Sequence, residues 1–208
     1  MMNVLVVTGG IGSGKSAACR ILAEKGLEVQ YNADARVREL YTSCPGLLED
    51  IEHRLGCCLR NDEGNFVPKL LADRIFTDRE ALETVEAMVF PALIKDFEAF
   101  CRSEEDASIV VFEAATVLEK PQFDGFGDKV ILVDAPVEVR LERACARDGA
   151  DRSAVMARMA NQKLMNALSS GAADSRIDAV IVNDSSLQVL EEKLMKTMSE
   201  LFGDWQKR

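Results

Sequence analysis

Four glycines in six residues, followed by a lysine and a serine, make Gly9-Gly10-Ile11-Gly12-Ser13-Gly14-Lys15-Ser16 the most chemically specific stretch of this chain. Gly9, Gly14, Lys15 and Ser16 satisfy the phosphate-loop pattern G-x-x-x-x-G-K-[ST]. Glycines let backbone N–H groups curl around a phosphate chain with no Cβ in the way. A helix start directly after them adds partial positive charge. The expected ligand is a nucleoside triphosphate, bound by Gly10, Ile11, Gly12, Ser13, Gly14, Lys15, Ser16 and Ala17. Lys15 is expected to reach the β and γ phosphates, and the Ser16 hydroxyl to hold Mg²⁺ together with waters.

Other polar residues fall where a parallel sheet would present them to a ligand. Asp34, Glu113, Asp134 and Asn183 each follow an apolar, β-type run. In open parallel sheets, ligands bind beyond the carboxyl ends of the strands. Asp34 is the candidate acceptor for the proton of an attacking hydroxyl, and it equally suits an N-cap for a helix over 35–40. Glu113 resembles the acid that assists Mg²⁺ in phosphate-loop enzymes. Arg140, Arg143 and Arg147 recur at i, i+3 and i+7 after Pro136. That spacing puts three guanidinium groups on one helix face, suited to phosphate oxygens. An arginine-bearing lid is expected at about 140–170, with Arg147 its best single candidate. The competing reading is a solvated charged face. His53 is expected to be a surface or capping residue.

The elements that must position these residues follow from hydrophobic patterning. An apolar run at 4–7 and a short segment at 27–31 read as strands, and near-continuous Val/Ile runs at 108–112, 129–133 and 177–182 read as strands buried on both faces of a parallel sheet. Helical spacing follows the loop, recurs from Pro45 to Gly56, from Pro68 onward, and from Asp78 to about Cys101, where Pro91 is expected to kink or split the helix. The cluster Asn61-Asp62-Glu63-Gly64-Asn65 reads as a turn. Leu190, Leu194, Met198, Leu201 and Trp205 mark a last core-facing helix. The chain is thus expected to be one α/β domain over 1–208, a three-layer phosphate-loop fold with a five-stranded parallel sheet. Residues of about 35–100 form a helical insertion on it.

Composition narrows the partners. A net charge of −10 argues against a surface that binds nucleic acid through an excess of Lys and Arg. No apolar run approaches the roughly 20 residues of a spanning helix, and Met1 to Val7 lacks a basic stretch, so neither membrane partner nor cleaved leader is expected. The six cysteines form no C-x-x-C pair and His53 is the sole histidine, which excludes the common zinc patterns and fits free thiols in a cytoplasmic setting. Asp124-Gly125-Phe126-Gly127 fits D-x-x-G formally but does not follow a strand, and no N-K-x-D accompanies it, so a GTPase is disfavoured. Leu168-Ser169-Ser170-Gly171 only faintly matches a transporter ATPase signature.

Taken together, these residues resemble the dephospho-coenzyme A kinase family. Thr8 to Ser16 match its T-G-G-I-G-S-G-K-S letter for letter, and Asn32-Ala33-Asp34 stands where members carry D-A-D. Val89-Phe90-Pro91-Ala92-Leu93 is similar to its L-H-P-x-[IVL]. Thr116-Val117-Leu118-Glu119 matches a leucine-rich segment ending in Glu. Val133, Pro136, Arg143, Arg147 and Asp148 match a V-x-x-P…R-x-x-x-R-D segment, and Ile181-Val182-Asn183-Asp184 an adenine-side segment. The resemblance implies transfer of the ATP γ-phosphate to the ribose 3′-hydroxyl of dephospho-coenzyme A, giving coenzyme A and ADP, the last step of coenzyme A biosynthesis. It implies Asp34, Lys15 and Arg147 as catalytic residues, Asn183 as a nucleotide contact, Mg²⁺ as cofactor, and a monomer or weak homo-oligomer. Departures are Asn32 for the first acid, Phe90 for histidine, Pro68-Lys69 where an Arg usually opens that helix, and the Ser/Gly/Ala stretch from Ala167 to Ala173. Two alternatives stay open: a phosphate-loop kinase for another small alcohol or nucleotide, and a non-catalytic ATP-binding regulatory module.

Overall fold

A computed structural model describes residues 2–205, and the chain forms two compact units. One contains the residues up to Asn32 and those from Glu104 onward; the other is Ala33–Ser103.

The first unit is built on a five-stranded, all-parallel sheet in the order β2-β3-β1-β4-β5. Its strands are β1 (Asn3–Thr8), β2 (Gln30–Asn32), β3 (Ile109–Glu113), β4 (Lys129–Asp134) and β5 (Ala179–Val182). β1 is central: the chain winds out to β2 and back through β3 on one side, then crosses to β4 and β5 on the other. Leu5, Val7, Val111, Ile131, Val133 and Ile181 point to the face covered by α1 (Lys15–Glu24) and α9 (Leu187–Phe202). Ala18, Leu22, Leu190, Leu194 and Met198 meet them there. Full burial of a Leu or Val contributes about 1.5–3 kcal/mol, so this layer holds the sheet and the loop between β1 and α1 in one frame. Alternate residues face the opposite way. Phe112 stacks on Tyr31 at 5.5 Å between ring centroids and meets Phe126 edge-on at 4.7 Å. The double-sided burial expected of the apolar runs therefore holds for β1, β3 and β4.

β5 departs from it. It is an edge strand whose Ile181 is buried while Val180 is 57% exposed and Val182 is exposed as well. Successive side chains of a strand point to opposite faces, and among the described residues α9 packs on the Ile181 face while no helix packs to the same extent on the face of Val180 and Val182. β2 is also shorter and later than the apolar run over 27–31 suggests, because Leu27 leaves the strand to join the α1–α9 core.

The second unit packs α2 (Ala33–Ser43), α3 (Leu47–Leu55) and α4 (Pro68–Thr77) against the long α5 (Arg79–Ser103). α5 runs for 25 residues, about 38 Å at 1.5 Å per residue, with Pro91 inside it. The expected split at Pro91 does not occur. Proline removes one backbone bond and costs about 3 kcal/mol, but Val85, Val89, Leu93 and Phe97 form one buried stripe spanning it. Keeping that stripe continuous outweighs the lost bond. Arg36 reaches from α2 to Asp96 of α5 in a two-pronged bond at 2.7 and 2.9 Å. Asn61 closes the turn predicted at 61–65, its Oδ1 accepting from the N–H groups of Glu63 and Asn65.

Between β4 and β5 the first unit carries α6 (Val137–Asp148), α7 (Arg152–Ala160) and α8 (Lys163–Ser169). Leu141, Ala144, Val155 and Met159 bind α6 and α7 into a small core of their own. The region expected as a lid, about 140–170, consists of these three helices. Among the described residues no helix is long and apolar enough to cross a membrane.

Candidate active site

The glycine loop connects β1 to α1 at the carboxyl edge of the sheet. Gly14 is the N-cap of α1 in the left-handed conformation (φ 98°), and no side chain caps the helix or places an acid in its first turn. The first amides of a helix have no intrahelical acceptor. With no side-chain cap among the described residues, this helix start has the amides and the dipole direction that suit an anion. A Cβ on Gly14 would lie 2.1 Å from Asn183 Nδ2, so the position disfavours any other residue on steric as well as conformational grounds. Lys15 and Ser16 are the first two residues of the helix, Lys15 half-buried and Ser16 exposed.

Register brings the polar strand ends level with the loop. Glu113, the last residue of β3, pairs with Val7 on one side and Asn32 on the other. Glu113 is 7% exposed, and its carboxylate accepts from Ser16 Oγ at 2.5 Å and from Asn32 Nδ2 at 2.8 Å. Because Ser16 donates its proton to Glu113, the lone pairs of its oxygen are turned away from Glu113. A hydroxyl so oriented, backed by a carboxylate, suits a hard cation that keeps several waters and takes few protein ligands. The described residues contain no cluster of three or more His, Cys, Asp or Glu. Burial, and then the neighbouring Glu113 charge, push the Cys19 thiol far up, out of the range of reactive thiols.

Asn183, beyond β5, supports the loop directly. It is buried, its Nδ2 donates to the Ser13 carbonyl at 2.8 Å, and its backbone N–H donates to the Asp134 carbonyl at 2.7 Å. Arg143 Nη1 donates to the Asn183 carbonyl at 3.1 Å. Ser13 is fully buried and its Oγ has no hydrogen-bond partner among the described residues.

The arginine face of α6 is not the open stripe that its spacing suggests. Arg140 is 1% exposed, with Nε donating to the Ile11 carbonyl at 3.0 Å and Nη1 lying 3.6 Å from Asp134 Oδ1. Burial pulls its pKa down, and the Asp134 charge opposes that pull. Arg143 faces the Asn183 backbone. Of the three, Arg147 has an exposed side chain (62%), held by Asp148 at 2.6 Å. Asp148 also holds Arg158, and the two guanidinium groups keep its carboxyl well below the usual carboxylate range. Three arginines on one helical stripe thus meet three environments, since the stripe passes from the packed interior beneath the loop to solvent at the helix end.

Asp34 lies in the first turn of α2, one residue inside the helix, and its side chain is exposed. It is not the N-cap considered from sequence, because helical geometry already starts at Ala33. His53 is exposed in the last turn of α3, as expected. Gln162 was missed altogether: its Oε1 accepts from the Ile11 N–H at 2.9 Å and it is buried between α7 and α8. Nothing in the local sequence marks a lone Gln after a helix. Glu119 likewise accepts from the Leu164 N–H at 3.0 Å, tying the turn after β3 to α8.

Comparison with known proteins places this arrangement. The model of a family described as dephospho-CoA kinase matches residues 3–189. The dephospho-CoA kinase of Porphyromonas gingivalis is 35% identical over 176 residues, covering 85% of either chain. A crystal structure from Thermus thermophilus is similar with a TM-score of 0.80 and 28% identity, covering 97% of this chain and 99% of that one. The dephospho-CoA kinase from Campylobacter jejuni shares the fold, with a TM-score of 0.58, 24% identity, and coverage of 96% and 97%. With a phosphate loop seated on a parallel sheet and a family match spanning nearly the whole chain, this protein belongs to the dephospho-CoA kinase family.

Proposed function

We propose that this protein transfers the γ-phosphate of ATP to the ribose 3′-hydroxyl of dephospho-coenzyme A, giving coenzyme A and ADP. The observation that carries the reading is the uncapped start of α1 behind Lys15, with Ser16 held by Glu113, in a chain of this family. The hydroxyl oxygen forms a bond to the γ-phosphorus as the bond from that phosphorus to the ADP oxygen breaks. Asp34 takes the hydroxyl proton. Lys15 and Arg147 neutralise charge on the phosphoryl group in flight, and removing one such stabiliser costs about 10²–10³ in rate. Gly10, Ile11, Gly12, Ser13, Gly14, Lys15, Ser16 and Ala17 hold the triphosphate, and Asn183 supports the nucleotide side of the loop.

Mg²⁺, when bound, draws charge from the β and γ phosphate oxygens. Ser16 would hold it, with waters, and Glu113 fixes the orientation of that hydroxyl. We place the enzyme in the cytoplasm as a monomer or weak homo-oligomer acting on a small molecule. The net charge of −10 speaks against nucleic acid as a partner.

The test is ATP consumption with dephospho-coenzyme A beside nucleoside monophosphates and shikimate. Turnover is expected with dephospho-coenzyme A, with coenzyme A as product. Turnover with another acceptor and none with dephospho-coenzyme A would overturn the reading.

A further inference from the structure

Ile11, at the crest of the phosphate loop, is held at every group it owns. Its N–H donates to Gln162 Oε1 at 2.9 Å, and its carbonyl accepts from Arg140 Nε at 3.0 Å. Its side chain packs on the Leu141, Ala144, Val155 and Met159 core of α6 and α7. Arg140 Nη2 also reaches Gln162 Oε1, at 3.3 Å, so the two side chains that grip Ile11 are bonded to each other. Both are almost fully buried. A Cβ added to the neighbouring Gly10 would lie 2.1 Å from Arg140 Nη2, so no space separates this pair from the loop.

We infer that Gln162 and Arg140 are positioning residues for triphosphate binding, setting the Ile11 peptide and thereby the loop amides that follow it. Gln162 sits in the link between α7 and α8, its backbone N–H bonded to the Met159 carbonyl and its carbonyl to the Asn166 N–H. The bend between those helices is therefore tied to the loop, and the grip on nucleotide depends on a segment 151 residues away from it in the chain. Arg140 completes the pair because a buried guanidinium needs acceptors on several sides. It finds the Ile11 carbonyl, Gln162 and Asp134. Asp134 Oδ1, 3.6 Å away, has no hydrogen-bond partner among the described residues, so it supplies countercharge and not a competing bond. Gln162 Oε1 is the one acceptor shared by the loop and the arginine, which makes it the joint of the arrangement.

The inference rests on the reading that the loop holds a triphosphate, and calorimetry with ADP alone tests it without any acceptor substrate. Gln162→Leu leaves the Ile11 N–H without a partner, and ADP affinity is expected to fall about tenfold. Gln162→Glu presents acceptor oxygens to the same donors, and affinity is expected to stay within about threefold of wild type. Arg140→Lys keeps the charge but cannot bridge Ile11 and Gln162 together. Its loss is expected to resemble that of Gln162→Leu, and the double variant to be no weaker than the weaker single one. In turnover, the KM for ATP is expected to rise while that for dephospho-coenzyme A holds, a split that general loosening of the fold would not produce. A folded Gln162→Leu protein with wild-type ADP affinity would overturn the inference. So would a Gln162→Glu loss as large as that of Gln162→Leu, or additive losses in the double variant. Where Gln162→Leu fails to fold, the Gln162→Glu and Arg140→Lys measurements decide it.

Discussion

Glu113→Gln separates the chemistry of the site from its stability. The Glu113 carboxylate accepts from Ser16 Oγ at 2.5 Å and Asn32 Nδ2 at 2.8 Å. A glutamine there can keep both contacts: Oε1 accepts from Asn32, while Nε2 donates to the Ser16 oxygen. Bonds to a charged group contribute about 1.5–3 kcal/mol and neutral bonds about 0.5–1.5 kcal/mol, so the two contacts lose about 2 kcal/mol between them. Relief from burying a carboxylate offsets part of that. The net change is expected to stay within about 1–2 kcal/mol, a drop in Tm of a few degrees for a domain of this size. Function should change far more. In the wild type the Ser16 hydroxyl donates to Glu113 and keeps its lone pairs for a cation; in the variant the amide takes one, and the negative charge behind it is gone. The expected loss is about 10² in kcat, with a higher Mg²⁺ concentration needed for half-maximal rate. The assay is ADP release with dephospho-coenzyme A over a Mg²⁺ titration, with thermal unfolding alongside. A folded variant with wild-type kcat and Mg²⁺ dependence would refute the account of Ser16 and Glu113.

Three further outcomes can be checked. Asp34→Asn is expected to lower turnover by about 10² or more while ADP affinity measured by calorimetry barely moves; near-full activity would remove Asp34 from the mechanism. Gly14→Ala puts a Cβ at 2.1 Å from Asn183 Nδ2 in a left-handed conformation, which itself costs about 1–2 kcal/mol, so ADP affinity is expected to drop about tenfold or more. Adding Asn183→Ala should recover part of it, and an unrelieved double variant would count against the steric explanation. Burial, then the Glu86 charge, pushes Tyr41 up to about 12, above the value of about 10 in an unfolded chain. A raised pKa means that its stabilisation is complete below about pH 10 and is lost as pH rises through 12. The tyrosinate absorbance difference between wild type and Tyr41→Phe should accordingly titrate near 12, and a midpoint near 10 in folded protein would falsify the assignment.

The phosphate loop was legible because its function is local. Consecutive residues supply the glycines, the lysine and the serine, and the strand and helix on either side follow from their own patterning. β1, β3 and β4 were legible because burial on both faces leaves near-continuous apolar runs, and the family resemblance because its motifs are strings in order. Tertiary packing decided the rest. Pro91 lies within an unbroken α5 because the buried stripe from Val85 to Phe97 outweighs one backbone bond. Val180 and Val182 are exposed because α9 packs on the Ile181 face of β5 and leaves the other face open, a fact about helix placement that no strand carries in its own residues.

Arg140 shows the division most clearly. Its spacing with Arg143 and Arg147 marks a basic stripe, and spacing is all that a helix period can reveal. Whether a guanidinium on that stripe meets phosphate, solvent or a backbone carbonyl depends on what lies opposite. For Arg140 that is Ile11, 129 residues earlier in the chain; for Gln162 it is the same residue, 151 positions away. The sequence alone determined that a phosphate-loop pattern exists and which residues compose it. Only the folded chain, by burying polar side chains whose donors and acceptors then had to be satisfied, decided what holds that loop in shape.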